Sequence, residues 1–367
     1  MSDQPPLAEM NKAKVNKVKA HKGRGAVSAR DGRFVKQQVQ LDEAEIHQAL
    51  APETILTAMR AGKIISHNNS PDIPFERSIN PYQGCEHGCI YCYARPSHSY
   101  LDLSPGIDFE TQIFYKPNAA QCLLDEWQKP AYDCKPITIG ANTDPYQPAE
   151  KITRITRQLL ELFQSHQHPV NLITKGTLIT RDIDILAWLA ERNLCSVAIS
   201  LPSMDAALKR IMEPRVPSAQ SRLKTIESLV QYGIPTSVLV APIIPAINDA
   251  EIEAILEAVA AAGANQASYI FLRLPHEVKH LFAEWLQIHF PQRAKHVMSL
   301  VRQASGGADY DNRYGVRQRG SGPYADMLGS RFRAACKRFG LGSDRYQQKL
   351  DCQRFLPPGG RQLGLNL

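Results

Sequence analysis

The sequence lacks the features that would place it in or across a membrane. None of its 367 residues belong to a run approaching the ~20 consecutive apolar residues of a membrane-spanning helix. The first residues, Met1–Leu7, are polar and rich in proline, and no apolar segment typical of a secretory signal follows them. We therefore expect a cytoplasmic protein that does not bind a membrane.

The sequence also lacks the evenly spread cysteines of a small secreted domain. Five of its eight cysteines are scattered, and the other three form the pattern Cys85-x3-Cys89-x2-Cys92. Disulfide frameworks belong to short, cysteine-dense chains, whereas a tight group of cysteines in a long cytosolic chain more often binds metal. With 43% hydrophobic and 22% charged residues, the chain is neither fully disordered nor collagen-like, and it can bury a sizeable core.

Positive charge is concentrated at the two ends of the chain. Of the net charge of +7, residues 1–36 carry +6, residues 37–312 carry −7 and residues 313–354 carry +7, and Arg361 adds the last positive charge. Basic ends around an acidic centre predict an anionic partner, with nucleic acid as the candidate, although two solvated segments would look the same. Residues 1–40 have no apolar stripe to bury, so we expect a disordered basic arm there. A short helix is expected at Leu41–Arg60.

From Pro136 onward, short apolar strands alternate with amphipathic helices. This alternation predicts an α/β fold with a parallel sheet. Because the polar residues cluster where the strands end, we predict a partial TIM-type (β/α)6 barrel that spans residues 41–290. Residues 291–367 are expected to be a basic, mainly helical C-terminal extension. The predicted strands are Ser78–Tyr82, Ile137–Gly140, Val170–Thr174, Val197–Ser200, Ser237–Pro242 and Tyr269–Leu274.

Three closely spaced thiolates suit an iron–sulfur centre with one open position. A [4Fe–4S] cluster normally takes four cysteines, so three leave one iron able to bind a small molecule. Two alternatives remain open. Zinc could take the three cysteines with His87, or Cys122 or Cys134 could complete a four-cysteine cluster. The corresponding functions are a non-enzymatic nucleic-acid-binding module and a redox sensor.

The cysteine pattern, with Tyr91 before its last cysteine, resembles the radical S-adenosylmethionine (SAM) superfamily. The runs Asn80–Cys85, Cys92–Arg95 and Ile139–Glu150 are similar to the branch that includes spore photoproduct lyase. The resemblance covers roughly residues 64–290.

The resemblance implies a chemistry. A [4Fe–4S] cluster would be held by Cys85, Cys89 and Cys92, and SAM would chelate its open iron. A one-electron reductant such as flavodoxin or ferredoxin would drive cleavage of SAM to a 5′-deoxyadenosyl radical, which abstracts hydrogen from a substrate. The resemblance leaves that substrate open.

Four side chains match cofactor-binding positions of the same branch. Thr143 and Asp144 match a serine–aspartate pair near SAM, Lys175 matches a lysine that contacts SAM, and Ser200 matches a serine that contacts the ribose. Each also has a purely structural interpretation. Thr143 and Asp144 are good turn and cap residues, Lys175 could be a solvated loop residue, and Ser200 could simply end a strand.

Two tyrosines and one missing cysteine complete the comparison with that branch. Tyr91 and Tyr93 match tyrosines that relay hydrogen, although they could equally pack the loop. The hydrogen-donating cysteine of the lyase corresponds to a position around Ala141, and Cys134 lies before the strand, where it would miss the site. The resemblance therefore favours a related radical reaction on another substrate.

Overall fold

The computed structural model describes residues 23–34, 53–342 and 349–359. Its strands are β1 (Ile55–Ala58), β2 (Ile65–His67), β3 (Arg77–Ile79), β4 (Tyr82–Gln83), β5 (Gln112–Tyr115), β6 (Ile137–Ile139), β7 (Val170–Thr174), β8 (Cys195–Ser200), β9 (Thr236–Ile243) and β10 (Gln266–Phe271).

The α-helices lie mainly between and after the strands of the larger sheet. They are α1 (Asp108–Thr111), α2 (Ala119–Trp127), α3 (Glu150–Thr153), α4 (Ile155–Ser165), α5 (Ile183–Ala190), α6 (Ala206–Met212), α7 (Ala219–Gln231), α8 (Ile252–Ala261), α9 (Val278–His289), α10 (Ala294–Ala304), α11 (Val316–Arg319) and α12 (Pro323–Arg338). Short 3-10 helices occur at Arg95–Leu101, Thr177–Asp182 and Asp249–Glu251.

The larger sheet confirms the predicted partial barrel. Its strand order is β10-β9-β8-β7-β6-β3-β2, and every neighbouring pair is parallel except β2 with β3. The six parallel strands correspond to the six predicted ones. Apolar residues such as Leu172, Val197 and Val238 are buried in them, because helices cover the sheet. The carboxyl ends of the parallel strands therefore meet at one edge, as the prediction requires.

The prediction of a helix at Leu41–Arg60 is wrong for the part of this segment that the structure describes. Residues 55–58 form β1, which pairs in parallel with β5 in the register Ile55 with Gln112. The spacing of Ile55 and Leu56 is compatible with a helix face, but pairing with a distant strand overrides this local periodicity. Residues 41–52 lie outside the described residues.

Residues 23–34, which we call the N-terminal strap, also differ from the expected disordered arm. The backbone N–H groups of Gly25 and Ala26 donate to the carboxylate of Glu110 at 3.0 and 2.7 Å, and Ala26 is fully buried. A Cβ on Gly25 would lie 1.8 Å from the carbonyl oxygen of Gly88. The strap lacks an apolar stripe because hydrogen bonds to a buried carboxylate hold it. The rest of the arm, 1–22 and 35–40, lies outside the described residues.

The described part of the C-terminal extension is mainly helical and packs on the barrel. Arg331 of α12 pairs with Glu253 of α8 at 2.7 Å, and the Tyr324 hydroxyl donates to Asp249 at 2.6 Å. Phe332 of α12 joins the core of the barrel. In the described ranges, no helix has both the length and the apolar character to span a bilayer.

An aromatic cluster fills the amino-terminal end of the sheet around His168. Its ring stacks on Trp127 at 4.7 Å, its Nδ1 lies 2.9 Å from the Pro169 carbonyl oxygen, and its Nε2 lies 2.7 Å from the Tyr132 hydroxyl. Burial lowers the pKa of His168 from 6.5 to about 3. The folded protein therefore keeps this imidazole neutral at pH values where the unfolded chain takes up a proton.

This difference predicts acid sensitivity. As pH falls below 6.5, His168 is protonated only in the unfolded state. The free energy of unfolding therefore decreases down to about pH 3, by at most ~1.4 kcal/mol per pH unit. Urea midpoints measured from pH 7 to pH 4 should fall more steeply for wild type than for His168→Gln. His67→Gln, on the exposed part of β2, is the matched control. Parallel profiles for wild type and His168→Gln would contradict the prediction.

Candidate active site

Polar side chains that follow four strands of the larger sheet lie at its carboxyl edge, together with the loop that follows β4 of the smaller sheet β1-β5-β4. This edge is the usual place for an active site in a barrel. Residues 84–95, here called the cysteine loop, follow β4, and residues 142–147 follow β6. Lys175 follows β7, Ser200 ends β8 and Arg273 follows β10. The structure thus places the cysteine loop and the predicted cofactor-binding residues at one edge of the sheet. Arg273 lies at the same edge.

A buried arginine fixes the course of the cysteine loop. The Arg95 guanidinium, with no solvent exposure, donates to the carbonyl oxygen of Cys89 at 3.0 Å and to that of Gly106 at 2.8 Å. It also pairs with the equally buried carboxylate of Glu110 at 2.5 Å. Because Glu110 binds the N-terminal strap as well, one carboxylate joins the strap to the loop that carries the cysteines.

Two glycines allow the loop to turn tightly. Gly84 and Gly88 have φ angles of +85° and +66°, a region that residues with a Cβ rarely adopt. A Cβ on Gly88 would lie 2.6 Å from Glu110 Oε2, and one on Gly84 would lie 2.9 Å from the Gln112 carbonyl oxygen. The loop can therefore follow this course only with glycine at both positions.

The three thiols of the loop are free and lie in a nearly dry environment. Cys85 and Cys89 are 7% and 8% exposed, and Cys92 is half-buried. Burial raises the pKa of each thiol above its ordinary value, so a nearby cation is needed to hold them as thiolates. A bound metal centre would supply that charge, since cysteine binds metal as thiolate.

The arrangement fits a cluster better than a single ion. Among the residues that the structure describes, no three or more His, Cys, Asp and Glu side chains are grouped as ligands of one metal ion. An iron–sulfur cluster does not require thiols to converge on one point, because its cysteines bind different irons. His87, the expected fourth zinc ligand, instead places its Nδ1 3.3 Å from Asp144 Oδ2.

The loop after β6 pins the cysteine loop from one side. The Thr143 hydroxyl donates to the Tyr82 carbonyl oxygen at 2.9 Å. Gln147 accepts a hydrogen bond from the Glu86 N–H at 2.9 Å and donates to the Gly84 carbonyl oxygen at 3.2 Å. Thr143 and its neighbours thus join β6 to the cysteine loop.

Asp144 is a hydrogen-bond hub between three elements. Its carboxylate accepts from the Thr174 hydroxyl at 2.6 Å, from the Lys175 N–H at 2.7 Å and from the Tyr146 N–H at 2.9 Å. Burial alone would raise the pKa of Asp144, but attraction to His87 and these hydrogen bonds lower it to about 2. Asp144 is therefore an anion that orients the end of β7.

A buried charge network that sequence reasoning missed lies behind the cysteines. The Tyr91 hydroxyl donates to Glu213, which pairs with Arg222 at 2.8 Å, and Arg222 donates to the Ser200 carbonyl oxygen at 2.8 Å. The Lys175 ammonium lies 5.9 Å from the centre of the Tyr91 ring. Burial lowers the pKa of Lys175, but Cys89, Glu213 and Asp144 attract the ammonium and raise it overall. In the sequence Glu213 and Arg222 stand among other charged residues, such as Lys209, Arg215 and Lys224, so no local signal marks them as a buried pair.

Tyr93 faces the mouth of the barrel. Its side chain is 40% exposed, and its hydroxyl donates to the carbonyl oxygen of Ala141. The Arg273 guanidinium carbon lies 5.1 Å from the Tyr93 ring centre, and Arg273 Nη2 donates to the Tyr310 hydroxyl at 3.1 Å. Within the described residues, Arg273 Nε is buried with no hydrogen-bond partner. This corner combines aromatic rings with an incompletely paired cation.

The two cysteines considered as a fourth ligand lie elsewhere. Cys122 donates to the Ala61 carbonyl oxygen at 3.3 Å and accepts from Asn118 at 3.1 Å. Cys134 lies three residues before β6, at the amino-terminal end of that strand, and burial raises the pKa of its thiol. The structure brings neither to the cysteine loop.

Comparison with known proteins is consistent with these observations. The sequence model of the Radical SAM superfamily matches residues 79–259. An uncharacterized protein of Mycobacterium tuberculosis is 35% identical over 237 residues, which cover 64% of this chain and 70% of that protein. The radical SAM Nalpha-GlyT isomerase of Pseudomonas phage M6 is 28% identical over 236 residues, or 62% of this chain and 46% of that protein. A structure of spore photoproduct lyase complexed with dinucleoside spore photoproduct aligns with a TM-score of 0.55 at 16% identity, covering 78% of this chain and 81% of that one.

Proposed function

Because the chain belongs to the radical SAM superfamily, whose enzymes use a [4Fe–4S] cluster and SAM, we propose that Cys85, Cys89 and Cys92 hold the cluster. The protein would then cleave SAM reductively and abstract hydrogen from a substrate. The observation that carries this proposal is the group of three free thiols, two buried and one half-buried, on one loop at the carboxyl edge of the barrel. When bound, the cluster supplies the electron and the open iron that cleavage of SAM requires.

The chain's own residues would bind and orient SAM. The Lys175 ammonium, beside the cysteine loop, suits the carboxylate of SAM. Ser200, whose hydroxyl lies 3.4 Å from the Ala241 carbonyl oxygen, is assigned to the ribose. Thr143 and Asp144 are assigned to the same pocket, and their hydrogen bonds also hold the cysteine loop and the end of β7 in place.

We assign the two tyrosines different parts in the reaction. Tyr93, partly exposed and beside Arg273, is placed to relay hydrogen between cofactor and substrate. The Tyr91 hydroxyl donates a hydrogen bond to Glu213. If Tyr91 takes part in the relay, it does so with its hydroxyl held at this fixed position.

Nucleic acid is the substrate class that this mouth suits. Aromatic rings that can stack on bases, next to an arginine that can meet a phosphate, are the usual elements of single-strand binding. Tyr93, Tyr310 and Arg273 provide both, and the basic C-terminal extension lies nearby in the chain. The dinucleoside bound to the lyase of similar fold makes DNA the first ligand to test.

The decisive experiment is cleavage of SAM by the reconstituted protein. After anaerobic loading with iron and sulfide, dithionite and SAM should yield 5′-deoxyadenosine, and single-stranded DNA or RNA should raise the yield.

Lys175→Met should raise the KM for SAM by ~10-fold or more while the cluster spectrum stays unchanged, since a hydrogen bond to a charged group contributes ~1.5–3 kcal/mol. A fully loaded protein that releases no 5′-deoxyadenosine would overturn the proposed function. Cleavage that no nucleic acid affects, with no salt-dependent binding, would overturn only the substrate class.

A further inference from the structure

Residues 306–322, here called the closing segment, connect α10 to α12 and lie across the open side of the partial barrel. In the described residues, the larger sheet ends at β10 on one side and at β2 on the other. The Arg319 guanidinium carbon lies 4.0 Å from the ring centre of Tyr269 in β10. Arg317 binds Asp72, which lies in the turn between β2 and β3. The closing segment therefore bridges the two edges of the sheet.

The ion pair of Asp72 and Arg317, here called the latch, fastens the closing segment to the β2–β3 turn. Arg317 donates to both carboxylate oxygens of Asp72 at 2.6 and 2.7 Å, and the two side chains are 14% and 8% exposed. The Gly315 N–H donates to the same carboxylate at 3.3 Å. The hydrogen bonds from Arg317 lower the pKa of Asp72 despite its partial burial, so the latch is charged at neutral pH.

The rest of the closing segment has the features of a region that opens easily. Of residues 306–322, only Gln318 is buried, and its Oε1 has no hydrogen-bond partner among the described residues. Glycines at positive φ lie near both ends, Gly307 at +92° and Gly320 at +74°. Few buried contacts mean a small free energy of opening, and glycines allow the backbone to rotate at each end.

The closing segment also supplies part of the mouth of the barrel. The hydroxyl of its Tyr310 accepts a hydrogen bond from Arg273 Nη2 at 3.1 Å. Nearby in the chain, Tyr314 is 59% exposed and the Arg313 side chain is 67% exposed. Arg313 pairs with Asp311 at 2.6 Å, but a pair at such an exposed guanidinium contributes little to stability, so the cation is available to a phosphate.

We propose that the closing segment is a gate through which a single strand of nucleic acid enters the mouth from the side, and that it closes over the bound strand. The latch holds the gate shut in the empty protein. A side opening admits an internal stretch of a polymer, which needs no free end. In the closed state Tyr310 and Tyr314 offer rings to the bases, and Arg313 meets the backbone. The proposal rests on the substrate class proposed above, but it does not require cleavage of SAM.

The first measurement is hydrogen–deuterium exchange of the full chain without ligand. Asp72→Asn removes the carboxylate that holds Arg317, so exchange within residues 306–322 should become about 10-fold faster, which is the scale of a hydrogen bond to a charged group. Arg317→Lys keeps the charge but loses the fork, and it should show a smaller effect in the same direction. Glu76→Gln is the matched control, since it removes one charge from the same turn at an exposed pair with Lys135. It should leave this exchange unchanged.

The second measurement is binding of a fluorescent oligo-thymidylate, followed by stopped flow at low salt. Because the gate has to open for entry and close for retention, Asp72→Asn should bind and release the strand several-fold faster than wild type, and Glu76→Gln should match wild type. Tyr314→Ala should weaken binding by about 10-fold, the scale of one stacked base. The bound strand should slow exchange within residues 306–322 of the wild-type protein.

The outcomes separate the gate from the function proposed above. Equal rates for Asp72→Asn and Glu76→Gln, or a bound strand that leaves exchange within residues 306–322 unchanged, would overturn the gate and leave the substrate class intact. An oligonucleotide that does not bind the wild-type protein would overturn both. None of these results affects cleavage of SAM, which is measured by its own assay.

Discussion

Cys89→Ser is expected to abolish SAM cleavage and to remove the iron–sulfur absorbance of the reconstituted protein. Changes to residues around metal ligands already cost about 10–100-fold, so loss of a direct ligand should exceed ~100-fold. Cys89 is the best of the three cysteines to replace, because Arg95 fixes its backbone carbonyl and the residue is only 8% exposed. Iron and sulfide content and the yield of 5′-deoxyadenosine measure the two effects.

Two other cysteines supply the controls for this prediction. Cys122→Ser and Cys134→Ser should keep the cluster and the cleavage activity, since Cys122 is hydrogen-bonded to Ala61 and Cys134 lies at the amino-terminal end of β6, away from the cysteine loop. A cluster that survived Cys89→Ser but was lost with either control would show a four-cysteine centre of the redox-sensor type. Zinc without sulfide in the purified protein would instead support the non-enzymatic module.

Glu110→Ala is expected to destabilise the fold more than any surface charge change. The substitution leaves the fully buried Arg95 guanidinium without its carboxylate partner and removes the acceptor of the Gly25 and Ala26 N–H groups. Breaking a buried ion pair by removing one partner typically costs about 3–5 kcal/mol. The urea midpoint of the metal-free protein should fall accordingly, and residues 23–34 should become sensitive to protease.

The N-terminal strap itself provides the matched control. Glu284 binds its other end through Arg30, and the two side chains are 32% and 41% exposed. Exposed pairs contribute ~0–1 kcal/mol, so Glu284→Ala should leave the urea midpoint almost unchanged. Equal midpoints for Glu110→Ala and Glu284→Ala would show that the buried carboxylate does not hold the strap and the cysteine loop together.

The features that could be predicted from the sequence are those encoded by local pattern. The runs at Val170–Thr174 and Ser237–Pro242 are apolar because helices cover the outer face of the parallel sheet and its inner face lines the barrel interior, and the structure has strands there. The cysteine spacing and the run around Asp144 were equally visible, since both lie within a few residues. Their placement at one sheet edge followed from the parallel topology.

The features that were missed depend on partners far apart in the chain. Nothing near Gly25 indicates that a carboxylate 85 residues away will bind its N–H group. The pair of Glu213 and Arg222 is likewise fixed by packing between elements. β1 was taken for a helix because its pairing with β5 is invisible to local periodicity.

The attachment of the N-terminal strap has a consequence for biogenesis. During translation the strap leaves the ribosome first, but its anchor Glu110 is made only after the cysteines at 85, 89 and 92. The strap is thus synthesised early but attached late, after the cysteine loop is complete. Until Gly25 settles against Gly88, the loop that carries the proposed cluster ligands is free of the strap, and we expect iron and sulfide to be loaded in that interval.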